Sequence, residues 1–260
     1  MKKLRLLLLI VLLGIFIYSG GNLAFYLYDG YTSNNLNDRL KKQYVTAIEA
    51  AEINSEGISE DDEGGAAALM QQHQALYEQR FASLREINSE IVGWISIADT
   101  SIDYPVVQHS DNDYYLDHNI ERSRSSRGAI FMDYRNERMT EDPHIVIYGH
   151  HMKDGSMFSQ LYNYKDEQYF HEHSLITLDT LEQPTTWQIV SAYVYSPQHQ
   201  FFQLQYGSEQ EHNDYLQQIM AASLYDTGLE ITAEDQLLTL VTCTYEISDA
   251  RFIVHAKRVE

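Results

Sequence analysis

The chain has 260 residues, with 18 Lys or Arg, 38 Asp or Glu and a single Cys, giving a formal net charge of −20 at pH 7. Lys2, Lys3 and Arg5 lie in the first five positions, so the remainder carries near −23, which is −20 minus those 3. A body this acidic repels nucleic acid and anionic membrane faces. One cysteine excludes an intramolecular disulfide framework, while roughly 200 residues beyond the N-terminal stretch suffice for one domain with its own core.

Those first basic residues precede an apolar run from Leu6 to Tyr18, which continues past Ser19, Gly20, Gly21 and Asn22 into Leu23 to Tyr28. That length meets the ~20 residues a bilayer-spanning helix needs. Basic residues before the span and none close behind it put the N-terminus in the cytoplasm and the rest outside. A cleaved signal peptide is disfavoured, because no small-x-small site closes the run and Phe25 and Tyr26 stand where cleavage would fall. Residues 1–28 are therefore expected to be an uncleaved membrane anchor. Absence of a disulfide framework in an exported chain suits a Gram-positive exterior.

Residues 29–87 read as a helical stem interrupted by a linker. From Asn35 to Ala51, Leu36, Leu40, Tyr44, Val45 and Ile48 fall near helical spacing. Glu52 to Gly65 contains Glu60-Asp61-Asp62-Glu63 and Gly64-Gly65, with too little apolar surface to offset ordering entropy. The acidic run lacks the alternating ligand spacing of a calcium loop, so a solvated linker is the expectation. Helical spacing resumes from Ala66 to Ile87 through Leu69, Met70, Leu76, Phe81 and Leu84. The pattern leaves open whether this stem packs on the body.

After Asn88, in residues 88–260, the period becomes strand-like. Expected strands are Ile91 to Ile97, Ser101 to Gln108, Gly128 to Tyr134, His144 to Tyr148, Leu175 to Leu178, Thr185 to Tyr195, Gln236 to Tyr245 and Arg251 to Val259. Each is rich in β-branched or aromatic residues. Eight short strands separated by turn residues point to a mainly β chain closed, or nearly closed, as a barrel. One helix, Glu209 to Leu224, precedes the strand that ends near Cys243. Tyr114, Tyr115 and the two tryptophans are expected to be packing residues, since aromatics fill barrels more often than they bind cofactors.

The last two strands fix a register. A turn centred on Ile247 sets Cys243 opposite Arg251, Val241 opposite Ile253 and Thr239 opposite His255. Opposed residues share a face, with Cβ atoms about 4.5–5.5 Å apart. Leu238, Leu240, Phe252 and Val254 then form a core face, and the thiol and guanidinium share the other. A guanidinium there favours the thiolate and donates hydrogen bonds to an oxyanion or carbonyl. Eleven histidines compete to carry the proton. His255 is four residues from Arg251, about 13 Å along the strand, and too far. His171 and His173 flank an acid in a loop and read as solvated. His150 and His151 end an apolar strand, where catalytic groups are commonly presented.

Together these segments resemble the sortases, specifically class B. The resemblance rests on Thr239-Leu240-Val241-Thr242-Cys243 followed by Arg251, and on Tyr148-Gly149-His150 followed by Met152-Lys153-Asp154-Gly155-Ser156-Met157-Phe158. It extends to Gly93-Trp94-Ile95, to Ile102-Asp103-Tyr104-Pro105-Val106-Val107-Gln108, to Asp111-Asn112-Asp113-Tyr114-Tyr115-Leu116 and to Gly128-Ala129-Ile130-Phe131-Met132-Asp133.

The resemblance implies a membrane-anchored cysteine transpeptidase on an eight-stranded sortase-type β-barrel, with residues 88–260 as the catalytic domain. Cys243 would attack a carbonyl in the C-terminal sorting signal of a secreted protein to form a thioester. An amine, usually of a peptidoglycan precursor or cross-bridge and sometimes of a pilin lysine, would resolve it. His150, chosen over His151 by the Tyr-Gly-His alignment, would move the proton, and Arg251 would hold the carbonyl oxygen. Asn112, Leu116 and Thr242 match substrate-binding positions, and Ser196 to Asp235 corresponds to one wall of the groove. No cofactor or metal is implied, and a monomer is expected. Val241 stands where some class B members carry serine, and the stretch from Cys243 to Arg251 is shorter than in some relatives, with Asp249 most simply a turn residue. Two other functions fit less well: a barrel that binds without catalysis, and a protease that hydrolyses the same thioester.

Overall fold

The computed structural model describes residues 2–55, 75, 78–195, 202–243 and 250–259. Lys2–Ser55 is one helix, α1, so the apolar segment and the first stem helix run together through Ser19-Gly20-Gly21-Asn22. Residues 52–55, expected in the linker, form its last turn. Residues 56–65 of that linker, and Leu69, Met70 and Leu76 of the next helical pattern, lie outside the described residues. The chain is helical again over 78–87, α2.

The stem packs on the body. Leu36, Leu40 and Tyr44 from α1 and Phe81 and Leu84 from α2 are buried in one cluster with Trp94. Tyr44 stacks on Trp94, ring centroids 4.4 Å apart, and its hydroxyl donates to the buried carboxylate of Asp179. Lys41 pairs with Asp103 and Arg39 with Glu121 along the same contact. Val45 instead faces solvent.

The strands are β1 (Ile91–Ser96), β2 (Asp103–Val107), β3 (Ile130–Met132), β4 (His144–Tyr148), β5 (Leu175–Thr180), β6 (Pro184–Tyr195), β7 (Leu237–Cys243) and β8 (Arg251–Arg258). They close a barrel in the order β1-β2-β3-β4-β7-β8-β6-β5. Closure removes the unpaired edges that an open sheet would expose. Two neighbour pairs are parallel, β2 with β3 and β4 with β7, and parallel neighbours need long connections. The first carries a 3-10 turn, Tyr114–Leu116. The connection before β7 carries the expected helix, Glu209–Ala221, whose start is capped by Ser208 accepting from Glu211 N. Inward side chains such as Ile147, Trp187, Leu240, Phe252 and Val254 are fully buried and fill the barrel.

The expected strand Gly128 to Tyr134 shortens to three residues. Gly128 adopts φ of 58°, a turn conformation. A further short helix, Glu167–Glu172, is capped by Asp166, which accepts from Tyr169 N at 2.9 Å.

Candidate active site

Period-2 alternation places one face of β7 and β8 in the core and the other outside it. The observed register pairs Cys243 with Arg251, Val241 with Ile253 and Thr239 with His255, as the sequence predicts. On the other side of β7, the parallel neighbour β4 sets Tyr148 against Val241, and Gly149 N donates to Val241 O at 3.0 Å. Continuing that register by two residues brings position 150 level with 243, one strand spacing of about 4.8 Å away. Tyr195 of β6 is in turn paired with Arg251. Residues 243, 251 and 195 thus form one row across β7, β8 and β6, with His150 in the segment that follows β4 on the other side of β7.

His150 is half-buried, and its Nε2 lies 2.7 Å from the backbone oxygen of Leu116. A carbonyl only accepts, so Nε2 carries the hydrogen of this bond. His151 turns the other way, its ring 5.6 Å from that of Tyr162. Among the described contacts of Arg251 is a bond from Nη1 to the Ala250 oxygen at 3.3 Å. His173 binds the Ala98 oxygen at 3.0 Å beyond β1, away from the row, and His171 is exposed.

The proposed substrate-binding residues occupy different settings. Leu116 is 41% exposed and its carbonyl holds His150. Asn112 is half-buried, with Nδ2 donating to Asp133 at 3.1 Å and Oδ1 accepting from Tyr134 N at 3.0 Å. Thr242 alternates to the interior opposite Phe252 and is buried, its hydroxyl without a hydrogen-bond partner among the described residues.

Two polar clusters support this row and were not singled out by the sequence reading. Asp133, fully buried, receives two hydrogen bonds of 2.8 Å from the Arg135 guanidinium and another of 2.8 Å from Tyr148. Burial alone would raise its pKa, but the bonds from Arg135 and Tyr148 hold the carboxyl below its ordinary range. Arg135 also donates to the Phe202 oxygen at 3.2 Å, tying the chain after β6 to the barrel.

The second cluster runs beneath β7. His144 Nδ1 donates to the Gln203 oxygen at 2.6 Å, so its Nε2 accepts from Thr239 Oγ1 at 2.7 Å. Thr239 then accepts from His255 Nδ1 at 2.7 Å, and His255 Nε2 accepts from Tyr193 OH at 3.0 Å. Every tautomer follows from the carbonyl at one end. Both imidazoles are fully buried and kept neutral. Burial pushes His144 down to about 4 and His255 well below its ordinary value. The register predicted Thr239 opposite His255, but the link to His144 gave no signal, because the β4–β7 contact joins residues far apart in the chain.

At the Tyr195 end of the row, Tyr193, Tyr195, Phe202, Gln203, Tyr215 and Ile219 line a cleft of about 520 Å³ between β6 and the helix Glu209–Ala221.

The Sortase domain family matches residues 95–259. Sortase B of Listeria monocytogenes serovar 1/2a is 31% identical over 254 residues, 97% of this chain and 95% of that protein. The Staphylococcus aureus sortase B–substrate complex superposes with a TM-score of 0.74 at 27% identity, covering 90% of this chain and 99% of that one. Sortase B from B. anthracis in complex with AAEK1 gives a TM-score of 0.66 at 38% identity over 75% of this chain and 96% of that one. With an eight-stranded closed barrel and a lone cysteine at the end of β7, the chain belongs to the sortase family, in its class B, and is a cysteine transpeptidase.

Proposed function

We propose that this sortase cleaves the C-terminal sorting signal of secreted proteins through a thioester on Cys243 and transfers the acyl group to an amine of peptidoglycan. The observation that carries this reading is the pairing of Cys243 with Arg251 across β7 and β8, with His150 following β4, the parallel neighbour of β7. The Cys243 thiolate attacks the peptide carbonyl carbon. Arg251 donates hydrogen bonds to the oxygen as it gains charge. The C–N bond breaks as His150 gives a proton to the leaving amine, and the thioester remains. An incoming amine loses a proton to His150 and attacks, the new C–N bond forms, and the C–S bond breaks to restore the thiolate.

Groove recognition is assigned to Asn112, Leu116 and Thr242. The wall that includes Phe202 is braced by Arg135, which supports placing specificity between Ser196 and Asp235. Residues 1–28 are proposed as the anchor, 29–87 as the stem and 88–260 as the catalytic domain. α1 contains an apolar stretch long enough to cross a membrane. With its basic start inside, the catalytic barrel stands outside the cell.

The test offers candidate sorting peptides with and without an amine acceptor and identifies products by mass spectrometry. An amide product with the acceptor supports the proposal. Free acid alone, whether or not the amine is present, assigns a hydrolase instead.

A further inference from the structure

Resting on the reading of α1 as a membrane span, we propose that the loops over residues 122–127 and 152–156 form a phospholipid-headgroup contact face. This face holds the His150 end of the barrel against the bilayer. Exposure along α1 changes at one point. Every residue from 3 to 25 is exposed, Tyr26 is the first to be partly covered, and Asp29, Ser33, Leu36, Leu40 and Tyr44 are buried at intervals of three or four, with Gly30 buried beside Asp29. That stripe is one face of a helix. The apolar run ends at Leu27 and Tyr28, so the barrel begins where lipid would end. At 1.5 Å per residue, Leu4 to Leu27 measures about 36 Å, enough for a hydrocarbon layer of about 30 Å. Tyr28 and Tyr31, 67% and 69% exposed, fit the headgroup level, where tyrosine concentrates.

Two loops are tied to α1 at that level. Asp29 accepts from Ser126 N at 2.9 Å and Ser126 Oγ at 2.6 Å. The Arg127 guanidinium lies 5.8 Å from the Tyr26 ring. It also binds Asp154 at 2.5 Å and Ser156 at 2.6 Å, which brings 152–156 to the same level. A Cβ on Gly30 would meet Arg127 Nη2 at 2.4 Å, so helix and loop are in close contact there. Residues 122–127 hold three arginines and no acid; Arg127 is buried against Asp154, while Arg122, paired with Glu90, Arg124, paired with Asp117, and Lys153 are exposed. The exposed ends of Arg122, Arg124 and Lys153 are what lipid phosphates would meet there.

The far end of the contact fixes orientation. Tyr44 reaches Asp179, fifteen residues beyond Asp29, or about 22 Å along the helix. Held at both ends, the barrel cannot swing about α1. Its lipid-facing end is the catalytic one: His150 opens the chain that continues into 152–156. The Leu116 oxygen that binds His150 packs against Gly128, next to Arg127. The row of residues 150, 243 and 251 therefore opens beside the headgroups, and a substrate still embedded by an apolar tail need not be lifted to reach it.

The test uses the full chain carrying Cys243→Ala, which removes its only thiol, with one new cysteine at a time: Phe16→Cys, Ser123→Cys, Lys153→Cys or Glu182→Cys. All four positions are exposed. Each variant is labelled with a fluorophore and reconstituted into phosphatidylglycerol–phosphatidylcholine vesicles containing lipids with a nitroxide on the headgroup or deep in the acyl chain. The proposal expects deep quenching at 16, headgroup quenching at 123 and 153, and none at 182, which lies near Asp179 at the far end. Quenching at 16 with 123 and 153 as bright as 182 overturns the contact face and keeps the membrane span. Headgroup quenching at 182 equal to that at 123 overturns the orientation. No quenching at 16 removes the span and the contact face with it.

Discussion

The backbone oxygen of Leu116 lies 2.7 Å from Nε2 of His150, so a residue in the β2–β3 connection fixes the tautomer of an imidazole that follows β4. That carbonyl is held in place by its neighbour in space. A Cβ on Gly128 would meet the Tyr115 oxygen at 2.3 Å and the Leu116 oxygen at 2.9 Å, and Gly128 itself has a positive φ of 58°. Gly128→Val therefore adds backbone strain of about 1–3 kcal/mol and displaces the carbonyl. Peptide turnover is expected to fall at least about tenfold if that bond contributes about 1.4 kcal/mol to the transition state. Steady-state kinetics check this; a folded Gly128→Val enzyme with unchanged kcat would contradict it.

Substitutions within the row are expected to separate chemistry from binding. Cys243→Ala eliminates the thioester. His150→Ala lowers kcat by about 10²–10⁴, the usual contribution of a general acid and base. Arg251→Ala lowers it by about 10²–10³, as for loss of an oxyanion donor. Peptide-cleavage kinetics measure each value. A loss confined to KM in Arg251→Ala would assign that guanidinium to ground-state binding.

The register of β7 against β8 was legible because strand alternation and a short turn leave little freedom over so few residues, and the observed pairs are those predicted. Leu36, Leu40 and Tyr44 were legible as the inward stripe of a helix. The polar contacts Asp29–Ser126 and Tyr44–Asp179 were not, because they join positions 97 and 135 residues apart. The helix Glu167–Glu172 is too short for a periodic signal and is announced only by its cap at Asp166. Thr239 opposite His255 followed from the predicted register, but the link from Thr239 to His144 was hidden, because nothing local in β4 or β7 names its parallel neighbour.

That buried chain predicts a pH dependence of stability. In the unfolded chain both histidines titrate near 6.5, whereas folding lowers His144 to about 4 and His255 below its ordinary value. Between these limits the unfolded state binds more protons, so stability is full above pH 6.5 and declines as pH falls toward 4. His144 alone accounts for about 3 kcal/mol across that range, at 1.36 kcal/mol per pKa unit. Thermal unfolding at successive pH values should show Tm falling below pH 6.5. A flat profile down to pH 5 would contradict neutral, buried imidazoles.

Tyr44 is expected to hold the stem to the barrel. Tyr44→Ala removes the stack on Trp94 and the hydrogen bond to Asp179, at a cost of about 3–5 kcal/mol for a large buried aromatic. Tyr44→Phe keeps the stack and leaves a buried carboxylate short of a donor, costing about 1–3 kcal/mol. Limited proteolysis between α1 and β1, together with thermal unfolding in detergent, reads both effects. Equal stability of wild type and Tyr44→Ala would show that the helix does not depend on this contact.

Trapping the acyl-enzyme tests the central claim most directly. A sorting peptide is mixed with the wild-type enzyme without an amine acceptor, quenched in acid, and the adduct mapped by tandem mass spectrometry. The expected result is the acyl mass on the peptide containing Cys243, released when amine is added and absent from Cys243→Ala. Cleavage by Cys243→Ala at the wild-type rate, or an acyl group found on any residue other than Cys243, would contradict the account.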